Sequence, residues 1–277
     1  MSGRREGDVR RERDGRDGLR AGRHERNERE CDGGVRDGLR DGRERDHGKT
    51  RVARALALLE VPALVAVPVA MVALALAGVA AAAGLTLLVA LLALGLLFAS
   101  FEASRPALRQ LMPTAVLAAL AAAGRVLFAP IPDVKPVSAI AILAGATLGR
   151  RSGFVVGALA ALLSNFFFGQ GSWTPWQMYA WGLVGYVGGV LGERGWLDRA
   201  AVRHGWALLS GLAYGAILNG YYVLGFVRPI TWESVGLAVA AALPLDLLHG
   251  VATVGFLALA WGPWGRSLKR VIVKYDL

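Results

Sequence analysis

The chain has 277 residues, of which 55% are hydrophobic and 19% charged, with a formal net charge of +10. These fractions conflict for an ordinary globular domain and separate once the chain is divided: residues 1–50 hold 15 of the 31 Lys+Arg and 13 of the 21 Asp+Glu. The remainder is too apolar for a soluble domain and long enough for several membrane spans of about 20 residues each. Nucleic-acid binding is set aside, because the basic residues beyond the tail sit between apolar runs, where membrane topology accounts for them. Cys31 is the single cysteine, so no intrachain disulfide forms.

Residues 1–50 are mostly Arg, Asp, Glu and Gly, and Arg16-Asp17-Gly18-Leu19-Arg20 recurs as Arg36-Asp37-Gly38-Leu39-Arg40. Too few apolar side chains are present to offset the entropy of folding, which predicts a disordered, solvated tail. A short basic region followed at once by an apolar run is missing, so the tail does not read as a signal peptide.

Eight apolar runs follow, at 56–79, 83–101, 107–128, 134–149, 152–170, 175–192, 205–226 and 235–261. Strict alternation of apolar and polar residues is missing, which argues against a β-barrel. The expected fold is all-α, a polytopic membrane helix bundle. With the tail inside, eleven basic residues fall on the cytoplasmic side: Arg105, Arg109, Arg150, Arg151, Arg194, Arg199, Arg203, Arg266, Lys269, Arg270 and Lys274. Only Arg125, Lys135 and Arg228 fall outside. Both termini are therefore expected in the cytoplasm, and the location is the inner (plasma) membrane. The predicted organisation is a charged tail (1–50), an accessory hairpin (51–104), a six-helix core (105–265) and a basic C-terminal tail (266–277).

The hairpin carries few polar groups, Glu60 among them. The third run contains two small-residue series, Ala115/Ala119/Ala123 and Ala118/Ala122. Small residues let another helix approach closely, either inside the bundle or from a partner subunit. The next connection, Phe128 to Pro136, holds three prolines in seven residues and is stiff, as a gate or as a plain connector.

The strongest local signal runs from Asn165 through Gln170 to Trp173-Thr174-Pro175-Trp176-Gln177-Met178. Thr174 is expected as N-cap of the sixth run, with Pro175 at its first position. Trp173 and Trp176 share one helix face by spacing, and so do Gln177 and Trp181. Interfacial tryptophans form belts, but a belt does not need Asn165, Gln170 and Gln177 beside the rings. Rings next to amides suit a flat, partly polar ligand. Asn219, Tyr221 and Tyr222 interrupt the seventh run, and Asp246 and His249 stand three residues apart in the eighth. Intramembrane ionisable groups face a cavity or one another, as a structural lock, a proton relay or part of a site. One His and one Asp without a membrane Cys fall short of a metal site. No P-loop, HExxH or GxSxG pattern occurs, which predicts a transport subunit rather than an enzyme, with no cofactor.

The stretch from about 105 to 262 resembles the substrate-binding S components of energy-coupling factor (ECF) vitamin transporters. The resemblance rests on Gly124-Arg125-Val126-Leu127-Phe128-Ala129, Ser164-Asn165-Phe166-Phe167-Phe168-Gly169-Gln170-Gly171, Trp173-Thr174-Pro175-Trp176-Gln177-Met178 and Pro244-Leu245-Asp246-Leu247-Leu248-His249. It implies a subunit that binds a micronutrient at the outer face and works with a transmembrane coupling subunit and two cytosolic ATPases. It further implies docking of the coupling subunit on Ala115, Ala119 and Ala123. The implied ligand site comprises the Pro130–Pro136 loop, Asn165, Gln170, Trp173, Trp176, Gln177, Asn219, Tyr222, Asp246 and His249. Among ligands a corrinoid of the cobalamin type ranks first, with riboflavin or a modified purine also suited. The competing expectation is a stand-alone proton-coupled carrier using Asp246 and His249.

Overall fold

The computed structural model describes residues 51–275, apart from 105 and 107. The predicted tail, residues 1–50, lies outside the described residues. Eight α-helices follow in order: α1 (Arg51–Leu76), α2 (Ala82–Ala103), α3 (Leu108–Leu127), α4 (Val137–Leu148), α5 (Arg150–Phe168), α6 (Thr174–Glu193), α7 (Ala200–Phe226) and α8 (Trp232–Tyr275). No strand occurs among the described residues. The protein is an all-α helix bundle, as its sequence predicts.

Eight runs were expected to span, whereas six helices are long and apolar enough to do so: α1, α2, α3, α5, α7 and α8. The helix α4 has only 12 residues, and α6 has 20, five of them glycine. The last helix also departs from expectation. It continues unbroken to Tyr275 and takes in most of the predicted C-terminal tail, with Pro244 and Pro263 inside it. Membrane helices tolerate such prolines because neighbours and side chains satisfy the freed backbone groups.

The centre of the bundle is a contact between backbones. A Cβ on Gly145 of α4 would overlap Gly185 and Gly189 of α6, and one on Gly157 of α5 would overlap the Trp181 carbonyl. Without side chains in the way, α4, α5 and α6 approach until main chain meets main chain, which is how helices associate in a solvent as apolar as themselves. Gly149 alone joins α4 to α5, at φ 92, a conformation that L side chains rarely adopt. The short α4 is thereby buried along its length, from Val137 to Leu148.

The α1–α2 hairpin packs Leu64, Val67, Leu94 and Leu97 against Phe154, Trp176, Tyr179 and Ile217 of the core. One charged group ties it down. Glu60, only 2% exposed, accepts hydrogen bonds from Ser100 of α2, Tyr186 of α6 and Arg151 of α5, the last also an ion pair. Breaking a buried pair from one side costs about 3–5 kcal/mol, and the partial exposure of Arg151 (29%) brings the expectation to the lower end. Glu60→Ala is therefore expected to lower the unfolding temperature of the detergent-purified chain clearly. Glu193→Ala, which removes the more exposed pair with Arg150, should shift it little, on the order of 1 kcal/mol or less. Equal shifts would remove the special role given to Glu60.

Candidate functional site

Three aromatic rings from three helices stack beneath the α3–α4 loop. Trp181 of α6 lies on Tyr214 of α7, with centroids 4.5 Å apart and planes at 29°. Tyr214 lies on His249 of α8 at 5.1 Å and 12°. Arg125 of α3 closes one end of the row, its guanidinium 4.9 Å from the Trp181 ring and 4.7 Å from Phe168. Guanidinium–ring contacts of this kind strengthen when shielded from water.

A chain of amides holds the arginine. Arg125 donates to Ser164 Oγ and Asn165 Oδ1, each at 2.6 Å. The Asn165 Nδ2 donates in turn to Gln177 Oε1 at 2.8 Å and Thr174 Oγ1 at 3.0 Å. Asn165 is fully buried, so these bonds are required rather than optional in an apolar surround. Gly157 against the Trp181 carbonyl fixes the register that brings Asn165, Gln177 and Trp181 together.

The loop end is charged. Lys135 Nζ donates to the carbonyls of Phe128 and Ile131, stiffening the Phe128–Pro136 connection. Asp133, at φ 52, places Oδ1 4.0 Å from His249 Nδ1. The other imidazole nitrogen, Nε2, bonds Ser138 Oγ at 2.8 Å. Two buried polar atoms of the row, Trp181 Nε1 and His249 Nδ1, have no hydrogen-bond partner among the described residues. Both residues are 1% exposed. Unpartnered groups in such a position call for an explanation, and a ligand is one.

Of the sequence-predicted residues, Asn165, Gln177 and His249 belong to this cluster. Gln170 stands exposed and reaches it only through Thr174. Trp173 is 39% exposed. Trp176 is buried on another face: it packs on Tyr221 and within the apolar contact with the hairpin. Thus Trp176 and Gln177, neighbours in sequence, point to different surroundings. Tyr222 is 52% exposed and stacks on Phe226. Asn219 donates to Asp246 Oδ2 at 3.0 Å. Asp246 and His249 therefore bond different partners. Thr174 does not act as the expected cap: α6 begins at Thr174 with Trp173 as N-cap, and the Thr174 hydroxyl accepts from Gly171 N–H and Asn165 instead. Sequence reasoning passed over Tyr214 and Ser138, which have no motif around them, left Trp181 out of the ligand site, and gave Arg125 a place in topology and in the family resemblance but none in the site. Its neighbour Gly124 held the clue, since a Cβ there would strike Pro136 of the same loop.

The two alanine series of α3 part company. Ala118 and Ala122 are buried, whereas Ala115, Ala119 and Ala123 are exposed beside Met112, Val116 and Leu120.

Burial pushes the Asp133 carboxyl above its usual range, with Lys135 opposing. Burial pulls the Lys135 ammonium down, with Asp133 opposing and Arg125 adding to the effect. A raised carboxyl binds its proton more tightly in the folded chain than in the unfolded one. Stability from this group is therefore full at low pH and falls as pH rises through the carboxylate range. Asp133→Asn should flatten that part of a thermal stability–pH curve. An unchanged curve would contradict the burial of this carboxyl.

A bundle with six helices long and apolar enough to cross a membrane is the architecture of a polytopic membrane protein. The family model described as "ECF-type riboflavin transporter, S component" matches residues 106–259, more than half of the chain, and the protein belongs to this family. It is a multi-pass, substrate-binding transport subunit of an ECF transporter, a family that associates with a module of coupling and ATPase subunits. No curated protein and no solved structure matches the chain.

Proposed function

We propose that the chain captures a flat, conjugated micronutrient in the Arg125–Trp181–Tyr214–His249 cluster and presents it to the ECF module. The observation that carries this reading is the stacked row, with Trp181 Nε1 and His249 Nδ1 lacking hydrogen-bond partners among the described residues, beside a guanidinium that makes no ion pair among them. The aromatic row supports a planar ligand, and the indole N–H, imidazole nitrogen and guanidinium at its edge support polar atoms on the ligand's rim. A flavin has both, and the matching family is described by riboflavin, so a flavin replaces the corrinoid as first choice. The excess of Lys and Arg in the opposite connections supports a cluster facing outward and termini facing the cytoplasm. The exposed Ala115/Ala119/Ala123 stripe supports a docking face for the coupling subunit, and residues 51–104 a hairpin added to a six-helix core. The stand-alone proton-coupled reading draws little support, since Asp246 and His249 form no mutual hydrogen bond or ion pair among the described residues.

Titration of the detergent-purified chain with riboflavin and with cobalamin tests the ligand. Riboflavin is expected to bind with Kd below about 1 μM, roughly −8 kcal/mol. Binding of cobalamin alone would keep the ring-binding cluster and overturn the flavin, and binding of neither would overturn the capture site. Ala119→Leu should abolish co-purification with the coupling subunit while leaving ligand affinity unchanged, because it alters only the exposed stripe. Undiminished co-purification would remove the docking assignment.

A further inference from the structure

A cavity lined by none of the stacked rings borders α7 and α8. It has a volume of about 600 Å³ and is walled by α1, α7 and the first half of α8. Met71 and Val72 of α1 face Ile217 and Val223 of α7 and Val235 of α8 across it. The lining is apolar apart from Asn219, Thr231 and Asp246, with the indole of Trp232 (81% exposed) at its rim.

The carboxylate is the feature to explain. Asp246 Oδ2 accepts one hydrogen bond, from the neutral amide of Asn219. Among the described residues no Lys, Arg or His forms an ion pair with it. Its position is nonetheless built, because Gly215 of α7 leaves the notch the carboxyl group occupies; a Cβ there would overlap it. A carboxylate in an apolar helix bundle is costly, and such residues mark sites where a charge is met. A cation arriving from outside would gain Coulomb energy that is weakly screened here. The walls would meanwhile favour an apolar body.

From this charge complementarity we propose that the Asp246–Asn219 cavity binds an organic ammonium group carried on an apolar body, with the ammonium on Asp246 and the body against α1. The site gives the hairpin a part in recognition, since α1 supplies one wall. It stands independently of the ligand assigned to the stacked rings. The same chemistry is offered by a separate small amine and by an ammonium-bearing part of the transported substrate.

The full chain in detergent is tested with two matched probes, 4-phenylbutylammonium and neutral 4-phenylbutanol, by saturation-transfer NMR titration. The ammonium is expected to bind about tenfold tighter or more, and Asp246→Asn to erase the difference. Ala216→Leu keeps the carboxylate and fills the cavity, so it should weaken both probes and serves as the test should Asp246→Asn fail to fold. Equal affinity of the two probes for the native chain overturns the proposal. So does a preference that survives Asp246→Asn, or an ammonium affinity unchanged in Ala216→Leu. Excess riboflavin displaces the ammonium if the cavity is part of the substrate site and leaves it bound if the amine is a separate ligand. Absence of riboflavin binding would sink the flavin reading and leave this site to stand on its own probes.

Discussion

The bundle depends on the bare backbone contact among α4, α5 and α6. In hydrocarbon there is no water to expel, so helices associate by packing area and by bonds between polar groups. Gly145, Gly153 and Gly157 meet Gly185, Gly189 and the Trp181 carbonyl at distances that exclude any side chain. That seam fixes the rotation of α6 about its axis. Once it is fixed, Gln177 and Trp181 turn toward Asn165 and Arg125, and Trp176 turns toward the hairpin. The site is thus a consequence of where the glycines are as much as of where the rings are.

The same apolar surroundings explain why so few polar groups carry so much of the structure. Each buried donor or acceptor must find a partner, because leaving one unmade costs more than the bond itself is worth in water. At one end Glu60 gathers Ser100, Tyr186 and Arg151 and so joins three helices to α1. At the other, Asn165 links Arg125, Thr174 and Gln177 across three elements. These two knots define the hairpin–core junction and the cluster. The knots are incomplete at Trp181 Nε1 and His249 Nδ1, which have no hydrogen-bond partner among the described residues, and at the Asp246 carboxylate, which lines a cavity.

Much of the fold was readable because its signals are local. Apolar runs and the placement of arginines are properties of consecutive residues, and all eight helices fall on the runs. Length was harder: α4 stops at 12 residues because Gly149 turns the chain, while α8 passes through its basic end without a break. The site was half legible. Asn165 and Gln177 stood out as amides among rings, and His249 as an imidazole in an apolar helix. Tyr214 did not, since its role comes from stacking between two residues more than 30 positions away on either side. The implied ligand site took in Trp176 and left out Trp181, because only the glycine seam sets which face of α6 looks inward. The two alanine stripes of α3 posed the same ambiguity, and burial assigned one inward and one outward.

In the proposed site the ligand meets the Trp181 face of α6 rather than the Trp176 face. Equilibrium binding of the captured micronutrient to Trp181→Phe and Trp176→Phe variants of the purified chain tests it directly. Phenylalanine keeps an apolar ring at each position and removes the indole N–H. Trp181→Phe is expected to weaken binding by about tenfold, on the order of 1.4 kcal/mol, as one lost donor in a buried site does, while Trp176→Phe leaves affinity within about a factor of two. A loss at Trp176 with none at Trp181 would contradict it.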